Sequence, residues 1–211
     1  AHAAGNLDLE LHEDGVDFAA WCTYKYGNSG PGAVAGAFVH ERHAHNQELV
    51  RLAGWWGNDP ATRFQMDENP EFIAQEGAEG WQVSNPPIFS MAPLHSSLSI
   101  FAEAGMAALR ERSMRLTGYL EQQVKAIGSS HYQIITPSEP HRRGAQISIR
   151  VLGDGQALQS SLADAGIVTD FRPPDVIRIA PTPLYNTFDE IHRFAAVLEQ
   201  KARVETGQGG D

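Results

Sequence analysis

The sequence predicts a mixed α/β chain in two lobes joined by a long helix, on three observations. A buried-strand pattern (Val16, Phe18, Ala20, Cys22) runs into a lysine and a loop rich in Gly, Ser and Asn. Leu94, Leu98, Phe101, Gly105, Leu109, Leu116, Leu120, Val124 and Ile127 recur at threes, fours and sevens, the period of an amphipathic helix. Beyond that helix, strand and helix patterns follow one another as in a compact α+β lobe.

In chain order, Leu7, Leu9 and Leu11 alternate with Asp8 and Glu10, which permits a short strand or a helical turn. Asp14-Gly15 reads as a turn, and the strand over 16–22 delivers Lys25. Residues 33–40 read as a second apolar strand. Residues 41–87 are irregular, with Trp55-Trp56-Gly57 and the stiff turn Ser84-Asn85-Pro86-Pro87. The helix predicted over 94–127 spans roughly 45–50 Å at 1.5 Å per residue, enough to link two lobes. Gly128-Ser129-Ser130 ends it. Strands are expected over 133–136, 147–151, 167–170 and 176–180. A helix over 155–165 should stop at Gly166. The last helix opens on Thr187-Phe188-Asp189-Glu190, a capping-box pattern, and buries Ile191, Phe194, Ala195 and Leu198. Residues 205–211 read as a disordered tail.

The 211 residues are 42% hydrophobic and 20% charged, ordinary for a globular chain with ample core. A net charge of −10 argues against sequence-independent nucleic-acid binding. No apolar run is long enough to span a bilayer, and no basic-then-apolar signal segment is present. The single Cys22 cannot form an internal disulfide, which suits a reducing cytoplasm.

Of the three lysines, Lys25, Lys125 and Lys201, only Lys25 is flanked by aromatics and glycine turns. Partial desolvation there would keep the amine neutral and able to attack a carbonyl; pyridoxal phosphate is the first use that fits. A strand-end lysine pointing at water is the competing reading. Tyr24 can donate to a phosphate or relay a proton, or plug a core. His2, between small residues before a glycine, suits a strand-end site or a structural role. Trp55 and Trp56 read as core or interface anchors, or as indole donors to an anion. Asn85, stiffened by two prolines, can present its amide to a phosphate or stabilise a turn. Arg178, between isoleucines, needs a partner if buried. Either a substrate carboxylate held bidentately or an internal salt bridge would supply one, and an outward-facing arginine is the remaining alternative. His40-Glu41-Arg42-His43-Ala44-His45 looks metal-like, but nothing nearby completes a ligand set, so it is read as a polar surface without metal.

Several ordered segments carry a resemblance. They are Ala1-His2-Ala3-x-Gly5-Asn6, Gly15-Val16-Asp17-Phe18-Ala19, Trp21-Cys22-x-Tyr24-Lys25-Tyr26, and Ala35-Gly36-Ala37-Phe38 with His40-Glu41-x-His43-Ala44-His45. Gly54-Trp55-x-Gly57, Thr62-Arg63-Phe64-x-Met66-Asp67 and Ser84-Asn85-Pro86-Pro87 follow. Leu116-Thr117-Gly118-Tyr119-Leu120-Glu121 and Ile177-Arg178-x-Ala180-Pro181-x-Pro183-Leu184-Tyr185-Asn186 complete the set. Together they resemble the kynureninases, fold-type-I enzymes dependent on pyridoxal phosphate.

The resemblance implies a transferase-like α/β fold: residues 1–93 as the C-terminal part of the large cofactor-binding domain, 94–127 as an inter-domain helix, and 128–204 as a small α+β domain. It implies a Schiff base on Lys25, cofactor contacts from His2, Tyr24, Trp55 and Asn85, and a substrate-carboxylate grip by Arg178. His2 also meets the substrate, and Lys25 and Tyr24 are the catalytic pair. It further implies a cytoplasmic homodimer with active sites at the interface. Its reaction would be hydrolysis of L-kynurenine, and of 3-hydroxykynurenine, to an anthranilate and L-alanine in tryptophan catabolism and NAD biosynthesis. The family motif places an aspartate, partner of the pyridine nitrogen, two residues before the position of Ala1. The ring-stacking aromatic and further phosphate donors also lie in the preceding half. The expectation is therefore a C-terminal half that works with an N-terminal fragment and neither binds the cofactor tightly nor turns over substrate alone. The alternatives are a cysteine desulfurase or selenocysteine lyase, and a non-catalytic dimerising fragment.

Overall fold

A computed structural model describes residues 1–205 and 207. The chain divides into two compact units, Ala1–Ala104 and Gly105–Asp211. The tail expected over 205–211 lies outside the described residues, except for Glu205, which closes the last helix, and Gly207.

In the first unit, β1 (Phe18–Trp21) pairs antiparallel with β2 (Gly36–Val39), in a register that sets Phe18 opposite Val39 and Trp21 opposite Gly36. Residues 6–12 form no strand: Leu7 N–H donates to the Ala3 carbonyl at 2.8 Å, and Asp14 N–H to that of Glu10 at 2.8 Å, so the local bonds are helical turns. Residues 41–87 are irregular apart from short 3-10 turns at Glu41–His43, Arg63–Glu68 and Gly77–Trp81. Buried Asn58 staples this stretch, its side-chain oxygen accepting from the N–H groups of Asp59 and Ile73, both at 2.9 Å.

The helix predicted over 94–127 is two helices. The first, α1 (Ile88–Ala104), begins just after Pro86-Pro87 and carries Pro93 within it. Its start escaped the periodicity because Ile88 and Phe89 are exposed and add nothing to an inward stripe. Gly105, at φ 77° and ψ 134°, breaks the helical path, and α2 (Met106–Ile127) follows.

The second unit is an antiparallel sheet in the order β3-β4-β6-β5 with helices packed on it. Its strands are β3 (Tyr132–Ile134), β4 (Ile147–Val151), β5 (Asp170–Arg172) and β6 (Val176–Ile179). The strand expected over 167–170 begins at Asp170, because Gln159 instead engages Thr169 through both its backbone oxygen and its hydroxyl in a loop contact. Helix α3 (Gly155–Asp164) starts where the Asp154 carboxylate accepts from Ala157 N–H at 2.9 Å. Helix α4 (Phe188–Glu205) opens with both halves of the predicted box. Glu190 N–H donates to Thr187 Oγ1 at 3.2 Å, and Thr187 N–H to the Glu190 carboxylate at 2.7 Å.

Alternation along β4 and β6 sends Ile147, Ile149, Val151, Ile177 and Ile179 to one face, where they meet Leu116, Leu120 and Val124 of α2 and Ile191, Phe194 and Leu198 of α4. This is the hydrophobic core, and it lies wholly in the second unit. Among the described residues no helix is long and apolar enough to cross a membrane.

Candidate active site

The Lys25 loop is held by its neighbours. Buried Thr23 donates from Oγ1 to the Val34 carbonyl at 2.6 Å and accepts from buried Ser29 Oγ at 2.7 Å. Ser29 N–H also donates to the Thr23 carbonyl at 3.3 Å. At Gly27 a Cβ would sit 2.5 Å from that carbonyl oxygen, so only glycine lets the loop close this tightly. The Ser97 hydroxyl of α1 donates to the Gly27 carbonyl and pins the loop to the helix. None of these anchors was singled out by sequence reasoning; two hydroxyls flanking the lysine at close range were the available signal.

From this frame Tyr24 and Lys25 project together and are both exposed, with Lys25 Nζ 6.0 Å from the Tyr24 ring centroid. The desolvation expected for Lys25 is not supplied by its own loop. A hydrogen bond with the Cys22 thiol, then the charge of that thiol when ionised, then slight burial, hold the Tyr24 phenol above its ordinary pKa. The phenol is therefore a proton donor at neutral pH. His2 meets the same loop edge-on, its ring centroid 6.3 Å from that of Tyr26, and the Asn6 amide donates to the His2 carbonyl at 3.0 Å.

Trp55 is half exposed and stands edge-to-face with Trp56 and with Phe64, each at 5.5 Å. It borders an open cleft of about 250 Å³ with Asn58, Arg63, Met66 and Asn69. Arg63 stacks 4.8 Å over Trp56, and its buried Nε has no hydrogen-bond partner among the described residues. Asn85 is exposed, and its side-chain amide makes no hydrogen bond among the described residues.

Arg178 belongs to the second unit, on the face of β6 opposite the core residues Ile177 and Ile179. Its Nε donates to Asp170 Oδ2, the internal-salt-bridge arrangement among the readings considered from sequence. Arg172 Nε shares the same oxygen at 2.8 Å. Burial pushes the Asp170 carboxyl up, but the two arginine hydrogen bonds outweigh it and hold the carboxyl below its ordinary value.

The metal-like histidines diverge. His40 Nδ1 accepts from Arg42 N–H at 3.1 Å, His43 meets Asp17 at 2.8 Å, and His45 meets Glu76 at 3.1 Å. Among the described residues no group of three or more His, Cys, Asp or Glu side chains is placed to hold a metal ion.

Residues 109–198 match the kynureninase C-terminal domain family. Over 203 residues the chain is 58% identical to a kynureninase from Myxococcus xanthus strain DK1622, covering 96% of this chain and 47% of the relative. It is 57% identical over 202 residues to a kynureninase from Stenotrophomonas maltophilia strain K279a, covering 94% and 47%. The chain thus spans about half the length of these curated relatives. Among solved structures, an apo cysteine desulfurase from Thermococcus onnurineus NA1 aligns with a TM-score of 0.74 at 16% identity, over 97% of this chain and 51% of that one. The cystine C–S lyase C-DES, solved with its product cysteine persulfide, aligns with a TM-score of 0.70 at 21% identity, over 93% and 50%. These structural likenesses show a shared fold, the one expected from the sequence resemblance. With that sequence identity held across nearly its whole length, the chain is similar to the C-terminal half of the kynureninases, the family that its sequence resembles.

Proposed function

We propose that the whole protein is a pyridoxal-phosphate-dependent hydrolase that cleaves the Cβ–Cγ bond of L-kynurenine or its 3-hydroxy form, yielding an anthranilate and L-alanine. The observation that carries this reading is the anchored loop that projects Lys25 and Tyr24 together beside the His2 segment, in a chain 58% identical to a kynureninase. The residues present suit the cofactor. An exposed amine on a fixed loop is open to an aldehyde, and the exposed Trp55 indole and Asn85 amide are donors suited to a phosphate.

When bound, the cofactor supplies an aldehyde for the substrate's amine and a ring that takes up the electron pair released at Cα. Lys25 holds that aldehyde between turnovers, and its freed amine carries the proton at Cα. Water would add to the Cγ carbonyl and, as the Cβ–Cγ bond breaks to leave the anthranilate's carboxyl group, Tyr24 would supply the proton to Cβ, a role for which its raised pKa keeps it loaded. Arg178 fixes the substrate carboxylate, and His2 borders the bound substrate. Trp55 and Asn85 serve the phosphate across the interface of a cytoplasmic homodimer.

A cysteine desulfurase shares the fold, but such enzymes typically carry histidine before the lysine and need a mobile nucleophilic cysteine. Here Tyr24 precedes Lys25, and Cys22 is half-buried against it. The test is anthranilate fluorescence from the full-length protein given L-kynurenine, with sulfide release from cysteine assayed alongside. Lys25→Ala should abolish both the imine absorbance and turnover; a Lys25→Ala protein that still makes anthranilate would refute the assignment.

A further inference from the structure

We propose that Asp170 is a positioning residue: it takes Arg178 by the Nε edge of the guanidinium and so presents the Nη1–Nη2 edge to the substrate's carboxylate. The inference rests on the reading of Arg178 as the carboxylate grip and adds a residue which that reading did not contain.

The register sets Asp170 directly across from Arg178 on neighbouring strands, and Ser148 across from it on the other side. Ile177 and Ile179 face the core and Phe171 packs against it, so Arg178, Asp170 and Arg172 share the other face. A cross-strand pair at this spacing is close enough for a short carboxylate to reach the near edge of a long guanidinium, but not to span it. The contact is so made: Arg178 bonds Asp170 through Nε, and among the described residues its terminal nitrogens make no hydrogen bond. Those two nitrogens form the flat fork that matches a second carboxylate.

Charge supports the same assignment. One aspartate shared by two arginines leaves a cluster of net +1, so the face still attracts an anion, whereas a simple one-to-one pair would be neutral. Because the carboxyl is held below its ordinary pKa by those same arginines, Asp170 stays ionised wherever the enzyme would work. A long arginine side chain otherwise samples many rotamers, and each must be given up when substrate binds. An ion pair already made by Nε removes most of that loss beforehand.

The experiment compares Asp170→Asn with the wild type as full-length holoenzymes. KM for L-kynurenine should rise about tenfold, the loss of one charge-assisted contact's worth of orientation, with kcat within about twofold and Tm unchanged. The Kd for the product L-alanine, read by titration without turnover, should rise in step. Inhibition by kynurenine carboxamide, which has no carboxylate to grip, should not change. A wild-type KM in Asp170→Asn overturns the proposal, as does an equal loss toward the carboxamide or a fall in Tm and kcat together, which would mark a merely structural pair. A wild type that makes no anthranilate overturns the functional reading itself, and this inference with it.

Discussion

The two units solve the same problem of apolar surface in opposite ways. In the second, Leu116, Leu120, Ile147, Ile149, Leu162, Ile177 and Leu198 are essentially inaccessible, and sheet and helices close around them. In the first, Ala74 and Phe101 are the buried apolar residues among those described, while Val50 is 97% exposed, Phe89 95% and Leu52 82%. Each large apolar side chain left in water forgoes about 1.5–3 kcal/mol of burial. The first unit is instead tied by polar contacts: Thr23 with Ser29 and Val34, Asn58 with Ile73, and Ser97 with Gly27. Such contacts contribute about 1 kcal/mol each net, too little to replace a core. The unit that carries Lys25 therefore has ordered loops and an uncovered surface. On the function proposed above, that surface would be covered by other protein.

The sharpest way to break this contrast is to separate the units. Residues 105–211 should fold alone, with one cooperative melt and dispersed amide resonances. Residues 1–104 should give no cooperative transition on their own. A cooperative melt for 1–104 would show that its polar ties suffice and would end the contrast.

Next in size is a contact inside the closed unit. Glu121 is buried beside Arg143, with its two carboxylate oxygens 2.6 Å from Arg143 Nη1 and 2.6 Å from Lys125 Nζ. Glu121→Gln leaves buried Arg143 without its counter-charge and should cost about 3–5 kcal/mol. Burial pushes the Glu121 carboxyl up, and the hydrogen bonds from Lys125 and Arg143 more than reverse that, so its folded pKa lies below the ordinary 4.5. A depressed carboxyl contributes in full above its unfolded value and loses that contribution as pH falls through the folded one. Denaturation of 105–211 against pH should show the gap between wild type and Glu121→Gln at pH 7 and its closure well below pH 4.5. A gap that persists in acid would mean the loss is packing rather than charge.

What the sequence made legible follows the same division. The strand over 147–151, the helix at 155 and the box at Thr187 and Glu190 were readable because a self-contained core imposes period and caps on its own sequence. In the first unit the start of α1 was missed and the leucines at 7, 9 and 11 left strand and helical turn undecided, since apolar residues there answer to no local core. Lys25 and Tyr24 stood out as residues, yet the sequence left Lys25 open between a desolvated site and one facing water, because desolvation is a property of whatever covers the loop. Asp170 went unnoticed as the partner of Arg178, for cross-strand register is invisible until strands are paired.

The smallest effect tests the exposed side of the comparison. Leu116→Ala, at a fully buried site, should destabilise the second unit by about 3 kcal/mol through lost burial and the cavity left behind. Phe89→Ser removes a larger apolar group from α1, yet in the 211-residue chain it should change stability by less than about 0.5 kcal/mol, as surface substitutions do. The reason is that Phe89 meets water in the folded chain much as it does in the unfolded one, so nothing is lost on truncation. In the full-length protein the same substitution should cost more, because any surface that covers α1 there converts Phe89 from an exposed ring into a buried one. Chemical denaturation of both proteins decides it. An equal, near-zero cost in the two settings would mean that α1 stays uncovered in the whole protein. A cost in the shorter chain as large as that of Leu116→Ala would mean that α1 already has a core of its own.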